Sequence, residues 1–179
     1  MKLTYFAHST SVDNESGLRS GWRDPLLSQK GKEQALSLRD YCEDLHFDTV
    51  FCSDLRRAVE TAEVVFGHQT VIPDSRLREM NYGILDGSPA SQFPRDELEC
   101  IDRRYELGEN CHDVEARVRL FIEEYILSAR YERVAIVSHK YPQLALDVIC
   151  NHVTWKEAIQ ADWRIAGNWQ PGWLYKIQR

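Results

Sequence analysis

The apolar run Leu3-Thr4-Tyr5-Phe6-Ala7 stops at His8 and gives way to small polar and loop-forming residues, among them Ser9, Thr10, Ser11, Asp13, Asn14 and Gly17. The pattern recurs far downstream, where Val134-Ala135-Ile136-Val137-Ser138 runs into His139. Two predicted strands that each close on a histidine are a strong constraint. In α/β sheets ligands bind outside the carboxyl ends of the strands, so parallel, neighbouring strands would bring both imidazoles to one edge. A single histidine at a strand end is most often a hydrogen-bonded structural residue; the matched pair is a candidate site.

Between and beyond these runs the periodicity alternates between helix and strand. Ser28 is placed to cap a helix in which Ala35, Leu38, Cys42 and Leu45 recur at helical spacing. Residues 48–52 read as a second strand. Ser53 or Asp54 would cap the next helix, with Leu55, Ala58, Val59 and Ala62 facing inward and Gly67 at its end. Residues 71–72 form a short third strand, and 76–79 lead off its end. The clearest helix spans 113–128, with Val114, Val118, Phe121 and Tyr125 in one stripe. The unbroken apolar character of 134–137 suits a strand buried on both faces. Pro142 fits the first turn of a helix over 143–150, Thr154 and Glu157 have capping-box spacing, and 173–177 form a last strand. This order predicts a three-layer α/β/α domain with a mostly parallel central sheet. Residues 80–112, punctuated by Gly83, Gly87, Pro89, Pro94 and Gly108, break the pattern apart from one short helix around 96–105. A long irregular segment of that kind is often functional, here lid-like.

At 179 residues the expectation is a single domain over 1–179 with room for a substantial core. A formal net charge of −6 argues against nucleic acid or an acidic membrane surface as the main partner. It leaves room for a small anionic substrate in a local cationic pocket. No apolar run approaches membrane-spanning length. The five cysteines are odd in number and contain no CxxC pair, which reads as free thiols in a reducing, cytoplasmic setting without structural zinc.

The second strand's helix carries Arg57 in its first turn, and Glu79 follows the third strand, so both are aimed at the edge that would hold His8 and His139. Taken singly, Arg57 could pair with Glu60 or Asp54 on a solvated face, and Glu79 could be a plain loop carboxylate. In order along the chain, however, the blocks resemble the histidine phosphatase superfamily, the phosphoglycerate mutase-like family. They are Ala7-His8-Ser9 with Ser11 and Asn14; Ser20-Gly21-Trp22; Ser28, Gly31, Gln34 and Ala35; Ser53 to Ala58 with Thr61-Ala62; Arg76 to Gly83; Gly108-Glu109-Asn110; and Ser138-His139. The chain departs from the family twice. The arginine and glycine that flank the family's first histidine are Ala7 and Ser9, and the usual Gly-Gly after the second is Lys140-Tyr141.

The resemblance implies phosphoryl transfer through a phosphohistidine on His8, with Arg57 and His139 as donors to the phosphoryl oxygens and Glu79 as the general acid. Ser9 and Asn14 would complete the phosphate cradle, and Ser20, Gly21 and Trp22 would form the substrate loop. Lys140 would carry an ammonium toward the phosphate, in part replacing the cation missing at Ala7. No cofactor or metal is called for. The expected partner is a small phosphorylated metabolite. The first expectation is thus a phosphomonoesterase; the alternatives are mutase-type phosphoryl transfer and, because of Ala7, a catalytically weak phospho-ligand binding module. Arg95, Arg103 and Arg104 are read first as solvated helix charges and second as holders of a further anionic group. Trp155, Trp163, Trp169 and Trp173 are read first as core and turn packing and second as a homodimer patch or pocket wall.

Overall fold

The structure is a computed structural model that describes residues 1–94, 96–128 and 131–177. The five-stranded sheet has the order β4-β3-β6-β1-β7. Its members are β1 (Lys2–Ala7), β3 (Thr49–Ser53), β4 (Val71–Asp74), β6 (Arg133–Ser138) and β7 (Trp173–Lys176). All pairings are parallel except that of β7 with β1. Strands β1 and β6 are neighbours in register, with Ala7 opposite Ser138. The two histidines therefore leave the sheet side by side.

Alternation along the strands sorts the core into two layers. Leu3, Tyr5, Phe51, Val134 and Ile136 face α4 (Cys111–Phe121) and α5 (Lys140–Asn151), whereas Phe6, Val50, Cys52, Ala135 and Val137 face α2 (Gln29–Cys42) and α3 (Arg56–Phe66). Burial of β6 on both faces accounts for its unbroken apolar run.

Where the local readings differ from the structure, the reason is local. The cap of α3 is Leu55, without a side-chain bond to the helix; the Ser53 hydroxyl instead accepts from the Leu55 N–H at 3.3 Å. Asp54 is drawn away by Arg78, which grips it with two bonds of 2.7 and 2.6 Å. The long helix starts at Cys111, capped by Asn110 and Asp113, and is α-helical only to Phe121; residues Ile122–Leu127 continue it as one π-helical stretch. The loop after β1 holds a single helical turn, α1 (Val12–Glu15), and β2 (Leu18–Arg19), which pairs antiparallel with β5 (Ser88–Pro89). This small ribbon ties the irregular 80–112 segment to the first loop. The expected helix around 96–105 is one tight turn, Glu97–Cys100. Two short helices, α6 (Trp155–Gln160) and α7 (Trp163–Ala166), lead into β7.

Candidate active site

The imidazoles of His8 and His139 lie with ring centroids 4.8 Å apart. His8 Nδ1 is 2.7 Å from the carbonyl oxygen of its neighbour Ser9. A carbonyl can only accept, so Nδ1 carries the proton and the lone pair sits on Nε2. Burial, the Arg57 charge and a smaller effect of Arg164 push His8 down to about 3. It is neutral across the physiological range and available as a nucleophile. His139 is 1% exposed and is likewise held well below its ordinary value by burial, Arg57 and His8. Neither of its ring nitrogens finds a partner among the described residues. Buried polar atoms are normally satisfied, so this imidazole is built to meet a ligand.

Arg57 is 2% exposed and pairs with neither Glu60 nor Asp54. Glu60 accepts the Leu27 N–H at 2.8 Å, and Asp54 is held by Arg78. The guanidinium instead donates from Nη1 to the carbonyl of Arg23 and from Nη2 to that of Gly21, both at 2.9 Å. Thr61, one turn on, donates its hydroxyl to the Arg57 carbonyl at 2.7 Å and accepts the Ser9 N–H at 3.0 Å, which locks the first loop to α3.

Glu79 is 9% exposed, and its carboxylate faces three backbone N–H groups: Met80 at 2.9 Å and Tyr141 at 3.1 Å on Oε1, and Lys140 at 3.2 Å on Oε2. Its carbonyl accepts from Trp22 Nε1 at 2.8 Å and from Arg117 Nη2 at 3.0 Å.

A cavity of about 200 Å³ is lined by His8, Asn14, Ser20, Gly21, Arg57, Glu79 and Lys140, with Arg19, Tyr82 and Glu97 from the ribbon and lid-like segment. A second, of about 290 Å³, holds Ala7, His8, Asn14, Glu79, His139, Lys140 and Arg164. A larger cavity, about 780 Å³, opens on the other flank of His8 between α2 and the wall of Trp163, Trp169 and Pro171. His139, Arg57 and Glu79 line the two smaller cavities and not this one.

The structure therefore brings together His8, Arg57, Glu79, His139, Asn14, Ser20, Gly21 and Lys140. Two expected residues act from behind: the Ser9 N–H is taken by Thr61, and Trp22 braces Glu79 while stacking under Arg78 at 4.9 Å. The Lys140 ammonium is not free; it sits 2.7 Å from Glu97 and 3.3 Å from Asp162. Arg103 pairs with Glu99 and Arg104 with Asp113, in line with solvated charges, and Arg95 lies outside the described residues. Trp163 stacks on Trp173 at 4.8 Å, and Trp155 is buried. Trp163 and Trp169 form a pocket wall.

Sequence reasoning missed Asp86, Arg117 and Arg164. Asp86 accepts the N–H groups of Trp22 and Tyr82, both at 2.9 Å, and joins the first loop to the lid-like segment. Arg117 comes from a helix whose apolar stripe gave no hint of a polar face turned inward, and Arg164 from a four-residue helix that carries no periodic signal. All five cysteines are free thiols. Among the described residues no group of three or more His, Cys, Asp or Glu could hold a metal ion, and no helix is long and apolar enough to cross a membrane.

The chain is similar to several known proteins. The family model "Histidine phosphatase superfamily (branch 1)" matches residues 6–169. The chain is 32% identical over 132 residues to the fructose-2,6-bisphosphatase TIGAR B of Danio rerio, which is 68% of this chain and 51% of that protein. It is 30% identical over 158 residues to phosphoserine phosphatase 1 of Hydrogenobacter thermophilus, or 82% of this chain and 74% of that one. Proteins named 2,3-bisphosphoglycerate-dependent phosphoglycerate mutase are also among the relatives. The chain thus spans about half the length of some of these relatives. The solved alpha-ribazole phosphatase of Shigella flexneri superposes with a TM-score of 0.80 at 25% identity, over 89% of this chain and 84% of that one.

Proposed function

Since the chain belongs to the histidine phosphatase superfamily, we propose that it is a phosphoric monoester hydrolase acting on a small phosphorylated metabolite. The observation that carries this reading is the buried His139 with both ring nitrogens unpartnered, 4.8 Å from a neutral His8 and beside Arg57. His8 Nε2 attacks phosphorus in line with the leaving oxygen, and the P–O bond breaks as the N–P bond forms. Arg57 and His139, with the side-chain amide of Asn14 and the Ser20 hydroxyl, donate to the phosphoryl oxygens, whose charge grows in the transition state. Glu79 gives its proton to the leaving oxygen. It then takes one from the water that attacks phosphorus, releasing inorganic phosphate and free His8. Arg57 supplies the positive charge and His139 a neutral donor, so no step of this scheme calls for a metal.

Rapid quench with a labelled phosphomonoester should trap an acid-labile label on His8, and His8→Ala should lose both label and turnover. Label or turnover that persists in His8→Ala would overturn the reading. Phosphate release separates hydrolysis from mutase-type transfer, which would appear as primed interconversion of phosphoglycerates instead.

The free thiols fit a reducing, cytoplasmic setting. The exposed Ile165, Trp169 and Leu174 are the surface on which a second copy would seat in a homodimer, which light scattering would reveal.

A further inference from the structure

The family resemblance implies an arginine before the nucleophile where this chain has Ala7, and the side chain expected to compensate, Lys140, is engaged with Glu97 and Asp162. We propose that Arg164 is the second guanidinium of the phosphoryl cradle, reaching from the C-terminal segment into the space that the small Ala7 side chain leaves beside His8.

Ala7, His8, His139 and Arg164 line one cavity. Arg164 is fixed there from several sides. Nη1 donates to Asp162 Oδ1 and Nη2 to Gln143 Oε1, each at 3.0 Å, and the guanidinium lies 4.3 Å over the Trp163 ring. These supports are themselves held: the Asp162 side chain is fully buried, Gln143 is 2% exposed, and Trp163 Nε1 shares Gln143 Oε1 at 3.1 Å while its ring stacks on Trp173. A guanidinium has five N–H donors in a rigid fork. Asp162 and Gln143 engage two and the Tyr5 hydroxyl lies within reach of the guanidinium, so the remaining donors can meet an anion without further ordering. That is the preorganisation a phosphoryl clamp needs. The Arg164 charge also adds to that of Arg57 in keeping both imidazoles neutral. Lys140 then serves a different purpose, joining Arg164 in neutralising the buried Asp162.

This inference rests on the phosphohistidine reading, so its test uses binding as well as turnover. Orthovanadate affinity is measured by calorimetry for the wild type, Arg164→Gln, Arg164→Lys and Lys140→Met, alongside kcat and KM on an aryl phosphate and the melting temperature of each. Arg164→Gln should weaken vanadate binding and lower kcat/KM by about a hundredfold, the usual cost of one transition-state donor. Arg164→Lys keeps a charge beside Asp162, so it should melt like the wild type yet still bind vanadate at least tenfold more weakly. Lys140→Met should lose less than Arg164→Gln, and Ala7→Arg added to Arg164→Gln should restore part of the binding. If Arg164→Gln and Arg164→Lys bind vanadate like the wild type, or Lys140→Met costs more than either, Arg164 is only a structural anchor while the phosphatase reading stands. If the wild type neither binds vanadate nor turns over, both readings fall together.

Discussion

Arg117 donates Nη2 to the carbonyl oxygen of Glu79 at 3.0 Å while its Nε and Nη2 hold Glu109 at 2.9 and 3.1 Å. Glu109 in turn accepts the Asn81 N–H at 2.9 Å. The backbone of Glu79, the proposed general acid, is thereby pinned on one side by α4 and on the other by the Trp22 indole. Neither Arg117 nor Glu109 touches the reacting atoms; both decide where Glu79 stands.

Arg117→Met should therefore damage two properties at once. It leaves the mostly buried Glu109 carboxylate without its cation, which typically costs about 3–5 kcal/mol, and it frees the Glu79 backbone to drift. Urea denaturation should report the first effect. The second should appear as a fall in kcat of about tenfold or more with KM nearly unchanged. A variant that loses stability but keeps the wild-type kcat would show that Glu79 is positioned without Arg117.

Glu79→Gln tests the acid directly. A carboxamide keeps the shape, and its one oxygen can still accept from the Met80 and Tyr141 N–H groups, so only the Lys140 contact is lost and folding should be retained. Alkyl phosphates, whose leaving oxygen must be protonated, should slow by about 100-fold or more, whereas activated aryl esters should slow much less. Equal losses on both substrates would remove Glu79 from this role.

The pH dependence follows from the two depressed histidines. In the native state His8 stays neutral down to about 3, and His139 is also held low, while in the unfolded chain a histidine takes up its proton at about 6.5. Below that value the unfolded state binds more protons, so stability falls as pH drops. The limiting slope is about 1.4 kcal/mol per pH unit for each histidine. Melting curves between pH 7 and 4 should show this loss, and His139→Asn should flatten it. The acid limb of kcat/KM should not show an inflection near 6.5, because protonation of His8 lies far below that value.

The legible part of the protein was whatever repeats with a period or ends a strand. Apolar runs that stop at a histidine marked out β1 and β6, and their pairing carried His8 and His139 to one edge; the helix after β3 put Arg57 there too. The π-helical turn at Ile122–Leu127 was invisible because its apolar spacing barely differs from that of an α-helix. Lys140 looked free because its acidic partners, Glu97 and Asp162, lie 43 and 22 positions away in sequence and meet it only when the lid-like segment and α7 fold over α5. Arg164 and Arg117 were hidden because Gln143 and the Glu79 carbonyl, 21 and 38 positions away, hold them inward, and such distant partners leave no local signal.

The last prediction concerns Gly21, whose carbonyl accepts from Arg57 and whose Cα packs against Asp86 and Tyr82 of the 80–112 segment. Its φ is +54°, and a Cβ there would collide with Asp86 Oδ1 and stand 2.9 Å from the Tyr82 ring. Gly21→Ala must therefore hold a left-handed backbone, at a cost of about 1 kcal/mol, and push Asp86 off the N–H groups of Trp22 and Tyr82. The Gly21 carbonyl is also the acceptor for Arg57 Nη2, so the displacement should reach the phosphate cradle. We expect kcat/KM to fall by about tenfold or more, with weaker vanadate binding and a lower melting temperature. Asp86→Ala alone should also cost activity by releasing Trp22 from its place against Glu79. Combined with Gly21→Ala it makes room for the new methyl group, so the double variant should lose less than the sum of the single losses. Strictly additive losses would mean that Gly21 and Asp86 act on the site independently, and that the close contact between them is not what holds Arg57 in place.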